Sequence, residues 1–171
     1  MVLQAATQHA SVYADGAVDS ARELVRHSLR SELSAIESAY LGAVSDGAHV
    51  ANIVRIADRL TALHSGTLAS GRFRLGPAQK ALNLLLKLQW CCGWIPTPPH
   101  CPFDAIIIKQ LDLDGSVAWT KLDSIQEYGK LVAAARGKAG EMSLSAWELL
   151  AYNQAAPASR RANTLSPSNE H

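Results

Sequence analysis

The stretch that most constrains this chain is residues 77–92, Pro-Ala-Gln-Lys-Ala-Leu-Asn-Leu-Leu-Leu-Lys-Leu-Gln-Trp-Cys-Cys. Proline suits the first turn of a helix, where its missing N–H is not needed. Gly93 gives a natural stop. Between them the segment is apolar almost all round, so it reads as a helix at the centre of a core rather than one lying on a surface. A narrow polar stripe survives, because Lys80, Asn83 and Lys87 stand at i, i+3 and i+7 and share one face. Directly after it, Pro96, Pro98, Pro99 and Pro102 forbid regular helix and impose an extended, semi-rigid crossing that ends at Asp104.

The remaining periodicity is helical. Leu24, Val25, Leu29, Leu33, Ile36 and Tyr40 predict one amphipathic helix from Asp19 to about Leu41. Val50, Ile53, Val54, Ala57, Leu60 and Leu63 predict a second from about Ala48 to His64, followed by a connection of roughly ten residues marked by Gly66 and Gly71. Ala105 to Leu111 reads as a short helix capped by Asp104, with a strand as the alternative because of Ile106, Ile107 and Ile108. Asp123 with Gln126 resembles a capping box opening a helix to about Arg136, and Ser145 with Glu148 another before Leu149 and Leu150. The expectation is an all-α fold, a single compact bundle of about six helices with a Pro-rich crossing. Residues 1–16 are expected to be a flexible N-terminus, 17–153 the helical domain, and 154–171 a disordered tail poor in large apolar groups.

Composition narrows the class. Apolar residues make up 48% of the chain and charged ones 18%, and sixteen basic against fifteen acidic side chains leave a formal +1. That balance excludes a polycation that coats nucleic acid. The charge is nevertheless unevenly placed: −3 over residues 1–50, +5 over 51–90, −2 over 102–150 and +1 over 151–171. Three cysteines cannot close a disulfide framework, and no basic stretch precedes an apolar run at the N-terminus, so a reducing cytoplasmic setting is expected. No segment approaches the ~18 apolar residues of a membrane helix, so no membrane partner is expected. Cys91, Cys92, His100 and Cys101 are of the types zinc prefers, but adjacent cysteines point apart on a helix and the usual two-to-four-residue gap is missing. No metal site or cofactor is expected.

Residues 74–86, Arg-Leu-Gly-Pro-Ala-Gln-Lys-Ala-Leu-Asn-Leu-Leu-Leu, followed by the Pro-rich crossing and Asp104, resemble the helix-hairpin-helix motif of DNA glycosylases of the endonuclease III and oxoguanine glycosylase superfamily. There a Gly-Val-Gly-Arg-Lys-Thr-Ala-Asn turn opens an apolar helix, and an aspartate follows a Pro-containing loop. Gly76 takes the place of the first glycine, Lys80 of the lysine, Asn83 of the asparagine and Asp104 of the aspartate. Pro77 and Ala78 stand where the family has Val-Gly, the lysine and aspartate are 24 residues apart, and the four-cysteine iron–sulfur motif is absent.

The resemblance implies a DNA-binding enzyme of glycosylase or lyase type, in hydrolase and lyase chemistry of DNA repair. Lys80 would be the amine nucleophile that forms a Schiff base with a sugar carbon, and Asp104 the carboxylate that stabilises the cationic sugar. The target nucleotide would be extruded from the duplex into a pocket beside the pair. Gly76 and Asn83 would belong to the DNA-binding hairpin. Arg72, Arg74 and Lys87 are candidate phosphate contacts from charge and position alone. The same residues also carry plain structural readings: Lys80 a solvated helix lysine, Asp104 an N-cap, Asn83 a partner for a loop inside the bundle, and the basic block a face paired with the acidic first helix. The alternative function is a non-catalytic helical interaction or regulatory protein of bacterial defence or mobile-element type, with a protein partner.

Overall fold

A computed structural model describes residues 2–7, 12–113 and 118–155. The fold is all-α, and among the described residues there are seven α-helices and no strand. They are α1 (Val2–Thr7), α2 (Asp19–Glu37), α3 (Asp46–His64), α4 (Leu75–Cys91), α5 (Ala105–Ile108), α6 (Ile125–Ala139) and α7 (Leu144–Ala155). Short 3₁₀ turns lie at Ser38–Leu41, Ala69–Gly71 and Trp119–Lys121. None of the described helices is long and apolar enough to cross a membrane.

The apolar segment is the central helix. α4 packs against α1, α3 and the 119–121 turn, and Ala78, Ala81, Leu82 and Leu86 are fully buried. Its start lies two residues before Pro77, because Leu75 and Gly76 already have helical neighbours and Pro77 still falls in the first turn, where no amide is required. α2 and α3 pair along the Val25–Leu29–Leu33–Ile36 and Ile53–Ile56–Leu60 stripes, as their spacing requires.

Several boundaries differ from the sequence reading. Val2–Thr7, within the segment expected to be loose, is helical and packs on α4 with Ala6 and Thr7 buried. The run after Asp104 is a helix of only four residues. Ser124, not Asp123, caps α6 by accepting from the amides of Gln126 and Glu127. Asp123 serves tertiary structure instead, accepting from the Leu75 amide at 3.3 Å and pairing with Arg72 at 2.7 Å. Nor do Ser145 and Glu148 form a capping box: Ser143 accepts from the Ala146 amide, and Glu148 turns inward. Of the tail expected to be disordered from residue 154, Gln154 and Ala155 belong to α7, and the rest lies outside the described residues.

Candidate active site at the Lys80–Asp104 cleft

Two consecutive residues on α4 meet two consecutive residues of the crossing. Gln79 grips the backbone of Phe103 from both sides: its Nε2 donates to the Phe103 carbonyl at 2.7 Å, and its Oε1 accepts from the Phe103 amide at 3.2 Å. The side-chain amide thus replaces a missing backbone partner for a segment whose prolines cannot enter a ladder. With residue 103 held against residue 79, residue 104 is delivered to residue 80.

Asp104 divides its two oxygens between structure and charge. Oδ1 accepts from the amides of Ile106 (2.9 Å) and Ile107 (3.1 Å) and so caps α5, while Oδ2 lies 4.0 Å from the Lys80 Nζ. The Lys80 ammonium also sits 4.2 Å from the centroid of the Trp119 ring, and the residue is only 9% exposed. Burial lowers the Lys80 pKa from the ordinary lysine value, and the attraction of Asp104 opposes that shift without cancelling it.

Both side chains open on a cleft of about 570 Å³, within the range of small-ligand sites. Leu84, Leu88 and Ile106 supply apolar walls, and Ala5 brings α1 to its edge. A second ion pair lines the same cleft: the Lys87 Nζ lies 2.6 Å from Glu148 Oε2 and 5.2 Å from the Tyr152 ring centroid. Burial raises the Glu148 pKa, the hydrogen bond and charge of Lys87 pull it down, and the charge of Asp104 adds to the rise.

Of the residues singled out by sequence, the fold brings together Lys80, Asp104 and Lys87. It does not bring the others to them. Arg72 pairs with Asp123 on a separate face, and Arg74 donates to Ser70 at 3.4 Å. Lys87, read from charge and position as a phosphate contact, faces Glu148.

Gly76 and Asn83 are engaged within the fold. The Gly76 amide donates to the Leu122 carbonyl at 2.8 Å, so no N–H is left there for a phosphate. Asn83 is fully buried. Its Oδ1 lies 2.8 Å from His49 Nε2, and its Nδ2 donates to Gln79 Oε1 and to the Tyr128 hydroxyl. That network runs on through His49 Nδ1 to the Tyr40 hydroxyl (2.9 Å), and through the Tyr128 hydroxyl to His100 Nδ1 (2.8 Å). It is a structural lattice joining α3, α4, α6 and the crossing, and among the described residues no three His, Cys, Asp or Glu groups converge as a metal site.

No known protein family, curated protein or solved structure matches the chain.

Gln79, Trp119, Tyr152 and Glu148 carry no functional expectation from sequence, Glu148 being read there only as a capping residue. Gln79 had a legible signal, a polar side chain next to Lys80 in an otherwise apolar helix. Trp119 and Glu148 had none, since their importance comes from chain segments 39 and 61 residues away from their α4 partners, Lys80 and Lys87.

Proposed function

We propose that the protein is an amine-nucleophile enzyme of base-excision type, a DNA glycosylase or abasic-site lyase, with Lys80 as the nucleophile and Asp104 as its electrostatic partner. The observation that carries this reading is the near-buried Lys80 ammonium, 4.0 Å from Asp104 and above Trp119, at the wall of a cleft. A lysine with a lowered pKa is neutral for a larger fraction of the time and can attack an electrophilic sugar carbon. A carboxylate fixed opposite, in surroundings of low polarity, stabilises positive charge that develops on that sugar. Trp119 and Tyr152 line the same cleft, with the Lys80 and Lys87 ammonium groups over their rings.

The test is borohydride reduction in the presence of DNA carrying an abasic site or a damaged base, in single-stranded and duplex form. The expected result is a covalent protein–DNA adduct that disappears in Lys80→Ala. A glycosylase that relies on Asp104 alone would give no adduct, so base release by Asp104→Asn is measured alongside and is expected to fall by at least ~100-fold. Absence of both effects on every substrate overturns the reading.

A second reading, a non-catalytic helical interaction protein, is favoured by the state of the basic block. Arg55 and Arg59 both reach Glu32 on α2, Arg72 reaches Asp123, Lys80 reaches Asp104 and Lys87 reaches Glu148. Basic side chains already paired with carboxylates of the same chain add less to phosphate binding, and on this second reading DNA is bound only weakly. A salt-sensitive shift of labelled DNA separates the two readings.

A further inference from the structure

A second cavity, sharing no lining residue with the Lys80 cleft, lies where the chain turns into α2. It encloses about 300 Å³, the lower end of the range for small-ligand sites, and its walls are mostly polar. Backbone contacts fix Tyr13 in one wall: its bridge to Leu68 and the bond from the Ala14 amide to the Thr67 carbonyl (2.9 Å) tie it to the segment after α3. The chain then turns at Asp15 and Gly16 into α2, whose fourth residue, Arg22, lays its guanidinium 5.3 Å from the centroid of the Tyr13 ring.

Two polar atoms at this cavity are left over. Tyr13 is only 7% exposed, yet its hydroxyl has no hydrogen-bond partner, and the Arg22 Nε is also buried and unpartnered. A buried donor without an acceptor carries a desolvation cost that folded chains ordinarily avoid. Neighbouring side chains do not relieve it. Asp19 stands 3.9 Å from Arg22 Nη1, beyond hydrogen-bond reach, with its carboxylate almost fully exposed. Arg26 holds Glu23 through Nε (2.8 Å) and Nη2 (2.6 Å), and its charge attracts the Tyr13 oxygen, which leaves the hydroxyl hydrogen as the part free to donate. Val18 gives α2 no side-chain cap, so the positive end of that helix adds to the same field. The cavity thus presents two donors and a cation on its buried side, and two carboxylates, Asp15 and Asp19, at its exposed rim.

We propose that this cavity binds a free α-amino acid as the zwitterion, its carboxylate accepting from the Tyr13 hydroxyl and Arg22 Nε and its ammonium meeting Asp15 and Asp19. An oxyanion alone would face the rim carboxylates, and an amine alone would leave both buried donors unsatisfied. A carboxylate and an ammonium joined through one carbon answer both ends within a volume of this size. The site is independent of the reading of Lys80.

The experiment is calorimetric titration of the full chain with a panel of free L-amino acids, their amides and their N-acetyl derivatives, with sodium acetate and sodium phosphate as anion-only probes. Saturable binding at one site per chain is expected, at least ~10-fold tighter for an amino acid than for its amide, its N-acetyl derivative or either anion. Tyr13→Phe keeps the ring beneath Arg22 and removes only the donor. It is expected to weaken binding by ~10-fold, while its urea midpoint without ligand stays at or above the wild-type value, because no hydrogen bond of the free protein is lost. Asp19→Asn is expected to lower affinity for the amino acid and not for its N-acetyl derivative. Absence of saturable binding by every amino acid, an anion that binds as tightly, or unchanged affinity in Tyr13→Phe or Asp19→Asn overturns the proposal. So does a Tyr13→Phe chain that unfolds at clearly lower urea, since its hydroxyl would then have had a structural partner.

Discussion

Gly76 has no room for a methyl group. A Cβ built there would lie 1.7 Å from the Trp119 carbonyl oxygen, a backbone atom that cannot swing aside, and 3.4 Å from the Leu122 Cβ. The glycine therefore lets the 119–121 turn lie flat on the first turn of α4, and that turn carries the Trp119 ring to Lys80. Gly76→Ala is expected to destabilise the protein by about 3 kcal/mol, the upper part of the usual overpacking range. Urea unfolding measures the loss, and a change within a few tenths would show that the turn yields. In sequence, glycine before an apolar helix is equally a phosphate-binding signature and a close-packing signature. Only the position of residue 119 separates the two. Asn83 repeats the lesson: a helical asparagine three residues from Lys80 was legible as special, but its partners His49 and Tyr128 come from other helices.

At the scale of elements, the crossing and its short helix hold the site. α5 has four residues, too few to be stable by propensity, so its cap matters more than its composition. Asp104 supplies that cap with Oδ1 and the charge opposite Lys80 with Oδ2, and two substitutions separate these roles. Asp104→Asn removes the charge and keeps an excellent cap, whereas Asp104→Ala removes both. The alanine variant is expected to be less stable than the asparagine variant by about 1 kcal/mol, measured by urea unfolding, while both lose the electrostatic effect. Equal stabilities would mean that the cap contributes nothing. The helices themselves were largely legible, since amphipathic spacing set α2 and α3 to within a few residues and the apolar run gave α4. Capping was less so, because Asp123 and Ser124 are adjacent and both fit a cap. Tertiary demand decided between them: Asp123 is drawn to Leu75 and Arg72, which leaves Ser124 for α6.

At the scale of the whole molecule, the buried histidines make stability depend on pH. His49 and His100 meet edge to face with ring centroids 4.7 Å apart, and burial holds their pKa values at about 3 and about 4. The ordinary value is 6.5, so between it and these folded values the unfolded chain binds more protons than the native protein. Stability is therefore lost as pH falls below 6.5, by ~1.4 kcal/mol per pH unit for each histidine, until pH nears the folded values. Glu148 acts in the opposite sense, since its raised pKa lets the folded state take up a proton before the unfolded chain does. The histidines outnumber it, and urea midpoints near pH 7 and near pH 5 are expected to differ by a clear margin, with the acidic value lower. Equal midpoints would contradict neutral, buried imidazoles.

The all-α class, the central helix, the Pro-rich crossing and the polar positions Lys80 and Asp104 are legible in the order of residues alone. Apolar periodicity and proline act within a few residues along the chain, and those forces leave their pattern in the order of side chains. Which charges meet is set by packing in three dimensions. The +5 block looked like a surface for an anion, yet most of it is matched by Glu32, Asp123, Asp104 and Glu148, each supplied from another part of the chain. Whether a charge faces water or a partner depends on distance in space and on local burial, and neither is encoded in spacing along the chain.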